Sequence, residues 1–260
     1  MALVLSKLVL PPLLILLASL AGRRWGDVIG GWLVGLPLTS GPVAAFLAIQ
    51  YGADFAALAT NGSLVGTAAQ ACFGLGYALL AQQGWVPALL IGSAAYAGAA
   101  FLIQAMPLAH WGFFVVALAT LTAAALLIPH RDTLRTTVAL PWWDLPARMV
   151  VVTVLVVTLT AAAALVGAKV AGVLASFPIF GAILAVFAHR MKGPGTATEV
   201  LRGLVFALYG FATFFFILGL LLVKVGILPA FLAAILSTLL VQAGALSLIR
   251  RGQVPHGYGP

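Results

Sequence analysis

Long runs of apolar residues, interrupted only by short clusters of charge, glycine or proline, make up almost the whole chain. About 20 consecutive apolar residues suffice to cross a bilayer as a helix. Runs of that length recur near residues 3–21, 27–50, 57–82, 85–105, 108–129, 148–167, 169–188, 198–222 and 226–249. No run alternates over about ten residues as the strands of a membrane barrel would. The pattern predicts an all-α polytopic membrane protein of nine transmembrane helices.

Composition excludes the other classes. Of 260 residues, 63% are hydrophobic and 7% charged, whereas charged residues approach a quarter of an ordinary soluble domain. Cys72 is the single cysteine, so no intrachain disulfide exists. The formal charge of +8 raises the question of a nucleic-acid or anionic partner, and its placement answers it. One set of alternate connections carries Arg23, Arg24, Arg131, Arg135, Arg148, Arg190, Lys192, Arg202, Arg250 and Arg251, and the other carries Lys7, Lys169 and Lys224. Ten cations against three is the bias expected of cytoplasmic loops, which predicts the N-terminus outside and the C-terminus in the cytoplasm. No basic stripe interleaved with aromatics occurs, so nucleic acid is not an expected partner. Trp142 and Trp143, beside Asp144, read as an interfacial anchor in the lipid bilayer. The first run, with Ser19-Leu20-Ala21 near its end, imitates a secretory signal, but Arg23 and Arg24 follow the apolar stretch instead of preceding it. It is read as a span.

Two segments resemble each other. Gly30 to Leu80 begins GGWLVGLPLTSGPVAAFLAIQYG, and Val170 to Leu220 begins VAGVLASFPIFGAILAVFAHRMKG. Leu36-Pro37-Leu38 aligns with Phe177-Pro178-Ile179 and, after a one-residue gap, Gly41 with Gly181 and Leu64-Val65 with Leu204-Val205. The repeat unit is four helices, so residues 1–106 and 147–260 form two halves joined by a linking helix and cytoplasmic loop, 107–146. A single extra helix between them inverts the second half, as in many secondary transporters.

Pro37-Leu38-Thr39-Ser40-Gly41-Pro42 falls at the centre of the second span and Pro178 midway along the seventh. Proline removes a backbone donor and clashes with the preceding turn, so a broken helix is expected in each half. Non-helical backbone at that depth persists only when buried in protein or lining a wet cavity. The half-helix ends then offer N–H groups to anions and carbonyls to cations. A proline kink that serves packing alone is the plainer alternative.

Thr39, Ser40, Gln70, Ser93, Tyr96, Tyr209, Thr213, Ser237 and Thr238 count to similar depth as neutral hydrogen-bonding groups. Each alone reads equally as a bond to its own helix. Asn61 and Arg202 stand near equivalent positions, beside Ser63 and Gly203. Arg202 is positioned to bind an anionic substrate on the inner side, with Asn61 its outward counterpart, or to snorkel to the surface. The candidate substrate-binding set is therefore Pro37, Thr39, Ser40, Gly41, Asn61, Gln70, Pro178, Gly181, Arg202, Tyr209 and Thr213. No carboxylate falls at mid-membrane, so proton coupling through a buried acid has no evident carrier. The four histidines are scattered, and no cofactor or metal cluster is indicated. Small-residue pairs Gly26/Gly30, Gly31/Gly35 and Gly62/Gly66 permit close helix contact, within the bundle or in a homodimer.

SFPIFGAILAVFAHRMKG, followed by LRGLVFALYGFATFFFILGLLL, resembles the small bacterial four-helix membrane proteins of the GlpM type. That resemblance covers under half the chain and implies a four-helix unit without naming a substrate. The paired broken helices are also similar in architecture to elevator-type transporters, which have ten helices. The reading is a secondary transporter of the bacterial inner membrane for a small metabolite, an organic anion being favoured. The alternative is a membrane enzyme or lipid-handling subunit acting on a phosphorylated lipid at the cytoplasmic face through His189, Arg190, Lys192 and Arg202, with Glu199 the sole acidic candidate.

Overall fold

The computed structural model describes residues 2–34, 36–37, 40–129, 141–163 and 177–252. The described residues form the helices α1 (Ala2–Trp25), α2 (Asp27–Val34), α3 (Ser40–Tyr51), α4 (Ala53–Leu80), α5 (Trp85–Gln104), α6 (His110–Leu127), α7 (Asp144–Ala163), α8 (Ile179–Lys192), α9 (Pro194–Val225) and α10 (Ile227–Gly252). No strand occurs among them. Thr39, the 130–140 loop with Arg131, Asp132 and Arg135, and the 164–176 segment with Lys169 lie outside the described residues, so the seventh span is followed here only from Phe177.

Among the described residues, five helical stretches are long and apolar enough to cross a membrane: Ala53–Gln83, Trp85–Gln104, His110–Leu127, Pro194–Val225 and Ile227–Ser247. Their burial divides them. In α4 and α9, 67% and 50% of the apolar stretch is buried, against 28%, 22% and 22% in α5, α6 and α10. The outer helices thus turn large apolar side chains outward, with Leu126 80% and Leu240 76% exposed. Apolar faces that wide are unfavourable in water and natural in lipid.

α4 and α9 pack against each other at the centre, with α5 and α6 beside α4, and α2, α8 and α10 around α9. The two central helices run antiparallel. Near its start, α4 meets His110 of α6 through Asn61, and near its end it meets His189 of α8 through Tyr77. α9 is met at Arg202 by the C-terminal end of α6 and at Phe216 by His110. Contacts also gather Arg23, Asp27, Asp144, Arg148, Arg190, Lys192 and Arg202 at one end, called the basic end below.

α2 crosses α9 backbone to backbone. A Cβ at Gly203 would overlap the Val28 carbonyl oxygen, and one at Gly31 would overlap that of Val200. Such approach is how helices associate in lipid, where tails are as apolar as leucine and packing must supply the attraction. The corners into and out of α9 are single glycines, Gly193 (φ 96°) and Gly226 (φ 84°), in a backbone region that other residues enter only at a penalty.

Gly203→Ala is therefore expected to lower the thermal unfolding midpoint in detergent, by about 1–3 kcal/mol of overpacking. Gly62→Ala, where a Cβ would meet open space, is expected to leave it unchanged or raised. Thermal melts of both variants against the parent protein check this.

Candidate functional site

The segment expected to form the second span is interrupted at its prolines. α2 ends at Val34, Leu36 and Pro37 form a bend, and α3 begins at Ser40. The Pro37 carbonyl accepts the Gly41 N–H at 3.0 Å, which starts the new helix. On α9 the interruption falls between Leu204, whose backbone lies under Gly31, and Phe214, whose ring is 3.5 Å from where a Gly41 Cβ would stand. Those ten residues cover about 15 Å at 1.5 Å per residue, centred near Tyr209, the middle of α9.

Pro178 starts α8 at a similar level. A Cβ at Gly181 would stand 2.6 Å from Leu204 Cδ2, and Pro178 lies three residues back toward the centre. α8 then runs to the basic end, whereas α3 runs to the other. Two helix starts thus face mid-bundle from opposite directions. The Gly41 N–H is held by the Pro37 carbonyl, Pro42 has no N–H, and the Ile179 N–H is held by the Phe177 carbonyl, so the positive end of each helix dipole is what they offer. Beside them Phe177 is gripped edge-on by Phe73 and Tyr96, with ring centroids 5.7 and 5.3 Å away.

The remaining predicted residues divide between this level and the ends. Ser40 is the first residue of α3 and Gln70 lies along α4, both half-buried. Tyr209 OH lies 2.9 Å from Thr122 Oγ1 of α6. Thr213 donates to the Tyr209 carbonyl of its own helix at 2.8 Å, the local bond that hydroxyls make in helices. Arg202 Nη1 donates to the Ile128 carbonyl at 3.3 Å, beyond the C-terminus of α6, where a cation complements the helix dipole. Asn61 and Arg202 take opposite ends. Asn61 Oδ1 is 2.6 Å from His110 Nδ1, and His110 Nε2 is 3.0 Å from the carbonyl of Phe216, fourteen residues or about 21 Å from Arg202 along α9.

Three polar features are visible only in three dimensions. The first is His110, an isolated histidine in the sequence, which here ties α4, α6 and α9. The second is Gln242, whose Nε2 donates to the Ala207 carbonyl at 2.7 Å from within the α9–α10 interface. Its sequence signal is the one that marks Gln70, an amide inside an apolar run. The third is an ionic network at the basic end. Asp144, fully buried, receives Arg23 Nη2 at 2.7 Å and Arg148 Nε and Nη2 at 3.1 Å each, which joins α1 to α7. Arg148 also lies over the Phe187 ring of α8 at 5.0 Å. Lys192 binds both oxygens of Asp27 at 3.1 and 3.0 Å, joining α8 to α2.

Nearby, Tyr77 OH lies 3.2 Å from His189 Nδ1, and burial holds the His189 imidazole below its ordinary pKa of 6.5. No group of three or more His, Cys, Asp or Glu able to hold a metal occurs among the described residues. Comparison with known protein families, with curated proteins and with solved structures finds no match to this chain. Its class follows from its own features: an all-helical membrane protein with an interrupted helix against its central column.

Asp144→Asn removes the negative charge shared by two arginines, one of them buried, and turns one of its two acceptor oxygens into a donor. It is expected to destabilise the protein by about 3–5 kcal/mol, the usual result of breaking a buried ion pair. Denaturation in detergent measures this. With a depressed pKa, His189 binds fewer protons folded than unfolded. Its contribution is present above pH 6.5 and lost as pH falls through that value toward the folded pKa. His189→Gln is expected to flatten that decline in a pH series of melting curves.

Proposed function

We propose that this protein is a secondary transporter of the bacterial inner membrane that carries a small metabolite, an organic anion, bound between the interruption at Val34–Ser40 and the helix start at Pro178. Nine spans in two inverted four-helix repeats, 1–106 and 147–260, joined through 107–146, are part of the reading, with the C-terminus cytoplasmic. The observation that carries it is that two discontinuities face the middle third of α9, α3 starting beside Phe214 and α8 starting from Pro178, three residues before the Gly181–Leu204 contact. An anion between two helix N-termini is stabilised without a buried charged side chain.

The repeat draws support from matching punctuation. α3, Gly52, α4, Gly84 and α5 follow one another as α8, Gly193, α9, Gly226 and α10 do, and all four glycines have positive φ. The antiparallel course of α4 and α9 is what inversion of one half demands. The charges at one end accord with a cytoplasmic face.

A lipid-handling role is favoured by one observation alone, the gathering of Arg190, Lys192 and Arg202 with Glu199 at the basic end. It leaves the mid-bundle discontinuities without a use.

Reconstitution into proteoliposomes tests the proposal. Time-dependent, saturable uptake of a labelled organic anion is expected. A folded triple variant, Ser40→Ala, Gln70→Ala and Arg202→Ala, should lose about tenfold or more of the rate, roughly one charge-assisted hydrogen bond's worth. An undiminished rate in that variant would sink the assigned site.

A further inference from the structure

The basic end holds a partly open cavity of about 20 Å³ that α1, α2, α7, α8 and α9 jointly line, with Ser19, Arg23, Asp27, Arg148 and Lys192 among its walls. That is room for one water or one ion of comparable size. The walls are charged unequally. Arg23, Arg148 and Lys192 bring three positive charges, whereas Asp144 and Asp27, the carboxylates they pair with, bring two negative ones.

A donor is also left over. Ser19 is 5% exposed, and its Oγ has no hydrogen-bond partner among the described residues. Arg148, which gives Nε and Nη2 to Asp144, also lines the cavity. A buried hydroxyl without a partner is destabilising, and the cavity's own lining holds three cations against one carboxylate, Asp27. One small monovalent anion relieves both, accepting from Ser19 beside Arg148 and cancelling the excess charge. A water molecule relieves only the first. A cation is opposed by the three already there.

We propose that this cavity is a binding site for a halide-sized monovalent anion, in practice chloride, that completes the ionic network joining α1, α2, α7 and α8. It is distinct from the mid-bundle site and does not depend on the transport reading.

The test uses the full chain in nanodiscs, with chloride replacing gluconate at constant ionic strength. The unfolding midpoint is expected to rise by a few degrees and to saturate with chloride, as a ligand bound only by the folded state requires. The chloride NMR line should broaden on adding protein and narrow again with excess bromide. Ser19→Ala should shift half-saturation about tenfold, the loss of one charge-assisted hydrogen bond. Lys192→Gln, which removes the excess charge at a partly exposed position, should abolish the response. Equal midpoints in chloride and gluconate, or a response the same in parent and both variants, would overturn the proposal. The first result means a water-filled cavity and the second a general salt effect.

Discussion

The structure depends on how closely other segments approach the backbone of α9. Three of its glycines face three different partners. Gly203 receives the backbone of α2 at Val28, Gly210 receives the Gln242 amide of α10, and Gly219 receives the His110 ring and the Thr60 hydroxyl from α6 and α4. In hydrocarbon there is no solvent to expel between apolar helices, so attraction has to come from dispersion contacts and from hydrogen bonds that reach a neighbouring backbone. Both fall off within fractions of an ångström. A side chain at any of these positions would hold its neighbour away and cancel the contacts the approach makes possible. α9 is thus a column whose bare patches decide where each surrounding helix sits.

That arrangement explains which features the sequence discloses. Pro37 and Pro42 announce the interruption of the second span through local chemistry, since a missing N–H acts on its own helix wherever the helix ends up. The charges of the loops likewise report on the side they occupy. Partnerships are another matter. Arg23 and Asp144 are 121 positions apart and Asp27 and Lys192 are 165 apart, and nothing in the local pattern of either residue specifies the other. Arg202 illustrates the limit. Its depth was legible, but its acceptor, the Ile128 carbonyl, is a backbone atom at the end of another helix, and any residue there would offer one. His110 looks isolated in sequence because its partners are an amide 49 positions away and another carbonyl. The four-helix repeat was read from composition and punctuation together, and the glycines at the helix corners are the part of that punctuation with a conformational reason.

The cations that sort to one side of the chain acquire a second use in the fold. A loop arginine required only for topology would stay solvated. Arg148, by contrast, is buried with Asp144, and Lys192 is held on both oxygens of Asp27. Pairing a topogenic cation with the carboxylate of another helix retains the charge on its side of the bilayer and fixes two helix ends to each other. Burial makes the Asp144–Arg148 pair strong against removal of one member and leaves it of small net worth against an apolar replacement, while the partly exposed Asp27–Lys192 pair is worth less. Their contribution is therefore to orientation: α1 held to α7, and α2 to α8, with little freedom in the angle between them.

Under the transport reading, that orientation bears directly on the mid-bundle discontinuities. α2 and α8 each end near the centre and each carry at the far end one partner of the Asp27–Lys192 pair. Motion of the pair at the surface would be passed along both helices toward Val34 and Pro178, limited by their close contacts with α9 at Gly31 and Gly181. Under that reading the basic end is where access from that side would be opened or closed, because α1, α2, α7 and α8 are held there by charge. Apolar contacts against α9 cannot serve this purpose as well. Their energy declines smoothly as helices slide, whereas an ion pair in a poorly solvated setting is either made or exchanged for water. Two discrete arrangements are what alternating exposure needs.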